Sequence, residues 1–153
     1  RTGALAFYFP DHPERIAVED MPVVAGEVDP AALMARIRQF APTLAIVEHV
    51  GPMPRDGVRQ AFSFGASFAL ARAVPLLLDV PVHLVTPSKW KRRMGVAGGP
   101  EGKEAARGMA LRLFPASAAS FARKRDHNRA EAALLARFAA ETIHGLGLSH
   151  AAA

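Results

Sequence analysis

A chain of 153 residues, half of them hydrophobic and 22% charged, can bury a sizeable core and is too apolar for a disordered tail. It has no cysteine, which excludes disulfides and thiolate metal sites and fits the cytoplasm. No apolar run approaches the ~20 residues that span a bilayer, so no membrane partner is expected. The net charge of +5 is unevenly spread: residues 89–129 hold eleven Lys and Arg against only Glu101, Glu104 and Asp126, the footprint of a polyanion partner.

Taken in order, Gly3 to Phe9 is an apolar, aromatic strand ended by Pro10-Asp11-His12-Pro13, and Arg15 to Val24 reads as its hairpin partner. Gly26 to Pro30 is a loop. Asp29-Pro30 then caps a helix to about Phe40, with Leu33, Ile37 and Phe40 inward and Arg36 and Arg38 turned away. Thr43 to Val47 is a short buried strand that delivers Glu48 and His49 to an irregular Gly51-Pro52-Met53-Pro54 loop. Val58 to Leu78 has a helical pattern with Phe62, Ala66, Ala69 and Ala73 on one side, a small-residue face suited to close packing. Val80 to Val85 is a strand, and Thr86-Pro87-Ser88 opens a short basic helix.

Gly95 to Gly102 reads as a loop, and Lys103 to Phe114 as a helix with Ala106, Met109, Ala110 and Leu113 inward. Pro115 to Arg125 is a connection. The last helix runs from about Asn128 to His144, packed through Ala132, Leu135, Ala136 and Ala139 and stopped by Gly145. No repeat or composition change marks a boundary, so a single α/β domain with a mixed sheet is expected.

A carboxylate at the carboxyl end of a strand, beside an irregular loop, sits where open α/β sheets place their ligands, which singles out Glu48. Asp126-His127-Asn128-Arg129-Ala130-Glu131 opens the last helix, and two readings compete there. Asn128 and Glu131 form a capping box, with Asp126 favoured by the helix dipole. Alternatively Asp126 and Glu131, with His127, face Glu48, and the carboxylates supply the oxygen donors that a divalent cation such as Mg²⁺ needs. Lys89, Lys91, Arg92 and Arg93 are candidate phosphate contacts or a solvated helix face, and Trp90 is a base-stacking or a core aromatic.

The stretch from Val47-Glu48 to Ser67, with Met53-Pro54 and Phe62-Ser63-Phe64-Gly65, resembles the second acidic strand and following helix of phage-type RuvC-like Holliday junction resolvases. Thr86 to Lys91, then Gly95, Gly99 and Lys103-Glu104, resembles that family's next strand-to-helix passage, and Asp126 to Ala132 its closing acidic motif. The resemblance implies an RNase H-like mixed β-sheet flanked by α-helices, a homodimer, and cleavage of branched or four-way-junction DNA with Mg²⁺ or Mn²⁺ by two-metal phosphodiester hydrolysis. It implies Glu48, Asp126 and Glu131 as metal ligands, with His127 a ligand or proton handler. The third ligand stays open among Asp126, His127 and Asn128, because related enzymes space the last pair three apart and not five. Lys89, Trp90, Lys91, Arg92, Arg93, Lys103, Arg123, Lys124, Arg125 and Arg129 would line the DNA.

The family also carries an Asp-Pro-Gly strand shortly before a Thr-Gly pair that would here be Thr2-Gly3. The chain as given is therefore expected to lack the first catalytic aspartate and to be inactive alone. Two other classes compete: a non-catalytic nucleic-acid-binding relative and, last, a sugar-kinase or actin-like relative. No second phosphate loop supports the latter.

Overall fold

The computed structural model describes residues 3–51 and 57–144. The architecture is mixed α/β and forms two compact units, Arg1–Asp20 with Ser88–Ala153, and Met21–Pro87. The Met53-Pro54 motif, the Thr2 position and the Gly145 stop lie outside the described residues.

In the first unit β1 (Ala4–Tyr8) and β2 (Ile16–Asp20) make the expected antiparallel hairpin, with Ala4 opposite Asp20 and Tyr8 opposite Ile16. Ser117 pins its second strand: the hydroxyl accepts from Ile16 N at 3.1 Å and donates to Ile16 O at 2.9 Å. Two long helices, α4 (Gly99–Leu113) and α5 (His127–Ala139), pack on each other, and α5 also covers β1 and β2. Ala106 and Ala110 of α4 and Ala130 and Ala133 of α5 are fully buried, and their small side chains permit the close approach. Phe114 closes the end of α4, edge-on to Tyr8 and tilted against Phe121, each at 6.2 Å between ring centres.

Helix α4 starts four residues earlier than expected, and Gly102 explains why a glycine-rich stretch can be helical. A Cβ there would lie 2.0 Å from the carbonyl oxygen of Ala97, so only glycine lets the preceding loop fold onto the first turn. The connection after α4 holds two 3₁₀ segments, Pro115–Phe121 and Lys124–Asp126. The packing face of α5 differs in part from expectation: Ala139 is buried as expected, together with Ala130, Ala133, Leu134 and Phe138, whereas Ala132, Leu135 and Ala136 are only half-buried. The run 130–140 has alanine on nearly every side, so periodicity alone gives too little contrast to orient it. Beyond Ala139 the chain continues in a wider π-type turn, Ala140–His144.

The second unit opens with β3 (Val23–Val24) and β4 (Glu27–Val28), paired antiparallel around Ala25 and Gly26. Both turn residues have positive φ, 51° and 83°, which matches the right-handed twist of a two-residue hairpin. The strand expected to run to Val24 therefore stops at Asp20, and the expected loop at 26–30 holds a strand. Helix α1 (Pro30–Phe40) has the anticipated cap: the Asp29 carboxylate accepts from the amides of Ala31 and Ala32 at 3.0 and 3.1 Å. Leu33 and Ile37 are buried, but Phe40 is half-exposed, with the Arg36 guanidinium 5.8 Å over its ring.

Strand β5 (Ala45–Glu48) pairs in parallel with β6 (Val82–Val85), Glu48 lying opposite Val85. Between them runs α2 (Val58–Leu77), which packs against α1, β4, β5 and β6. Among the described residues the strands thus form three two-stranded ladders, where one mixed sheet was expected. Of the face of α2 expected to pack, Phe62, Ala69 and Ala73 are exposed and Ala66 is half-buried.

Candidate functional site

Glu48 ends β5, and the chain stays in register for one more bond, His49 N donating to Val85 O at 2.7 Å. Glu48 is half-buried. The His49 ring is exposed and stacks on Phe68 of α2 (5.9 Å, 20°). Phe64 continues the column at 6.4 Å, and the Arg72 guanidinium sits 5.5 Å over Phe68. This column escaped sequence reasoning. The i, i+4 spacing of 64, 68 and 72 is visible there, but the partnership with His49 is tertiary.

The remaining acidic candidates lie in the other unit. Asp126 is buried, at 3% exposure, and Arg123 occupies both of its oxygens. The Arg123 amide donates to Oδ2 at 2.9 Å, Nη2 to Oδ1 at 2.9 Å, and Nε lies 3.2 Å from each oxygen. The guanidinium bonds hold the Asp126 carboxyl below its usual range; burial opposes them, and the Arg123 amide and nearby positive charge add to the lowering. The reciprocal cap therefore joins Arg123 and Asp126, and α5 begins at His127, one residue before the expected start. His127 Nδ1 is 3.3 Å from the Lys124 carbonyl oxygen. Glu131 Oε1 accepts from Lys91 Nζ at 2.7 Å, and the same ammonium lies 5.4 Å from the Trp90 ring centre.

The basic candidates separate into two groups. Lys91, Arg123 and Arg129 are ion-paired within the unit, Arg129 clasping Asp20 through two bonds of 2.8 and 2.9 Å. That clasp lowers the Asp20 pKa. Lys89, Arg92, Arg93, Lys103, Lys124 and Arg125 are exposed and make no ion pair among the described residues. Trp90, at 1% exposure, is a core residue and cannot offer a face to a base, so its expected place on the DNA surface is corrected. It belongs to α3 (Pro87–Met94), whose start Thr86-Pro87 marks correctly.

Mg²⁺ and Mn²⁺ take oxygen donors, and carboxylates at 48, 126 and 131 are of the right kind. Asp126 as it stands does not fit: Arg123 would have to leave before a cation could bind. Among the described residues no group of three or more His, Asp or Glu side chains could hold a metal ion. No helix among them is long and apolar enough to cross a membrane. Comparison with family models and with curated proteins gave no match.

Proposed function

We propose that the chain acts on branched DNA as a RuvC-like endonuclease with an RNase H-like fold, working as a homodimer with Mg²⁺ or Mn²⁺. The observation that carries this reading is the sorting of cations around the start of α5. The Lys91–Glu131 bond ties α3 to α5, and Lys89, Arg92 and Arg93 of α3 are exposed, as are Lys124 and Arg125 just before α5. Exposed cations with no ion pair among the described residues suit phosphate contacts. Glu48 at the carboxyl end of a parallel strand pair supplies the carboxylate that the reading needs most. The reaction is hydrolysis of a phosphodiester: water adds to phosphorus and the 3′ oxygen leaves.

A second reading, a non-catalytic nucleic-acid-binding relative, is favoured by the commitment of Asp126 to Arg123. Cleavage of a four-way junction separates the two, using the chain together with whatever coding sequence its gene places before Arg1. The endonuclease reading predicts Mg²⁺-dependent nicking that Glu48→Gln abolishes while junction binding persists. Binding without cleavage selects the binder. Absence of both sinks the two readings together.

A further inference from the structure

Residues 123–126 form a turn that is closed from both ends. The Asp126 amide donates to the Arg123 carbonyl oxygen at 2.9 Å, and the Arg123 amide donates back to Asp126 Oδ2 at 2.9 Å. The Arg123 guanidinium adds a further closure on the same carboxylate, Nη2 to Oδ1 at 2.9 Å. Behind the turn, His127 Nδ1 lies 3.3 Å from the Lys124 carbonyl oxygen. Between the two closing residues stand Lys124 and Arg125, both exposed and without an ion pair among the described residues. We propose that Asp126 is a positioning residue for phosphate binding and not a metal ligand: its clasp on Arg123 holds Lys124 and Arg125 out as a fixed pair for two phosphates of a nucleic-acid strand.

The direction of the side chains follows from the turn. Lys124–Asp126 is 3₁₀, so successive side chains leave the axis about 120° apart. Burying Asp126, at 3% exposure, therefore turns the other two outward and away from each other, each toward its own phosphate. Charge agrees. A bare carboxylate here would repel the phosphates that Lys124 and Arg125 meet, and Arg123 cancels it within the turn. The neighbouring Glu104 is likewise taken by Arg107, Nε to Oε2 at 3.1 Å. Two uncancelled positive charges thus sit on a backbone that is already ordered. An unclosed turn would have to be ordered on binding, at about tenfold in affinity for each residue fixed. A cation on Asp126 would break the side-chain closures and release the pair, so ligand and clasp exclude each other.

The inference rests on the nucleic-acid binding that both readings above share, and its test needs no cleavage. Affinity for a four-way junction is measured in EDTA. Arg123→Ala with Asp126→Ala removes the clasp at unchanged net charge and should weaken binding about 10-fold. Lys124→Ala with Arg125→Ala should lower the log–log salt slope by about 2 in the intact turn. In the clasp-free background the same pair should cost less than half as much affinity. Ser117→Ala, which loses the bonds to Ile16 in the same unit, should stay within about 2-fold of wild type. Should the clasp-free variant not fold, Arg123→Lys keeps the charge without the fork and should weaken binding about 3-fold. Separately, electron paramagnetic resonance should find as much Mn²⁺ bound to Asp126→Asn as to wild type. Additive effects of clasp and cations, wild-type affinity in the clasp-free or Arg123→Lys variant, or a Mn²⁺ ion lost with Asp126→Asn overturns the proposal alone. A wild type that does not bind the junction overturns it together with both readings.

Discussion

The two units differ in how far each covers its own apolar surface. The four largest fully buried side chains among the described residues, Trp90, Phe114, Phe121 and Leu134, belong to the first unit. The large hydrophobic residues left exposed among the described ones, from Val23 to Leu84, belong to the second. The first unit stacks two alanine-faced helices on a hairpin and stitches its surface with Lys91–Glu131, Arg123–Asp126 and Arg129–Asp20. The second builds α2 with apolar residues on more sides than α1 and four short strands can cover. Apolar composition alone does not make a core; a core also needs enough chain on the other side of each helix.

Phenylalanine truncations should break this contrast if it is false. Phe114→Ala, in the first unit, removes a wholly buried ring and should cost about 3–5 kcal/mol in denaturant unfolding. Gly102→Ala should come next, at about 1–3 kcal/mol or more, because the Ala97 carbonyl is backbone and cannot swing away. Gly108→Ala is the control: nothing lies within 4 Å of its added Cβ, so the same substitution should stabilise α4 by about 0.5–1 kcal/mol.

The Arg123–Asp126 pair gives a pH signature. The folded pKa of Asp126 is depressed, so its contribution is complete above the unfolded value of about 3.9 and is lost as pH falls through the lower folded value. Asp126→Asn should therefore lose about 1–2 kcal/mol at neutral pH, a figure reduced because Arg123 is half-exposed. The gap to wild type should close in acid. A gap that is constant from pH 7 down to about 2 would show that the carboxylate charge plays no part.

In the second unit Ala41 caps α1 in the left-handed region, φ 44° and ψ 55°. Ala41→Gly should stabilise by up to about 1 kcal/mol, since glycine relieves the Cβ clash at some cost in unfolded-chain entropy. The smallest effect is expected from Phe62→Ala at concentrations where the chain is monomeric: within about 0.5 kcal/mol, far below the effect at Phe114.

Local signals in the sequence were legible where a few neighbouring residues decide the outcome. Asp29-Pro30 marks the start of α1, Pro10 to Pro13 the first turn, and Thr86-Pro87 the entry to α3. Partners distant in the chain were not. Lys91 reads as one of a basic run, yet its ammonium is held by Glu131, forty residues on, and Arg129 by Asp20, 109 residues back. Trp90 reads equally as stacking or core, because burial depends on what packs over α3. The strand end at Glu48 was legible, whereas the reciprocal cap before the last helix joins Arg123 and Asp126, and Arg123, at its N-cap position, is not a favoured residue type there.

Both functional readings rest on DNA binding through the exposed cations and not the paired ones. The most direct test is the salt dependence of affinity for a four-way junction. Lys89→Ala, Arg92→Ala and Arg93→Ala combined should lower the log–log salt slope by about 2–3, at ~0.9 for each phosphate no longer neutralised. Lys91→Ala, which removes the cation held by Glu131, should leave the slope within about 0.5 of wild type. An unchanged slope in the triple variant, or an equal fall in Lys91→Ala, would contradict the division of these cations into structural and DNA-facing sets.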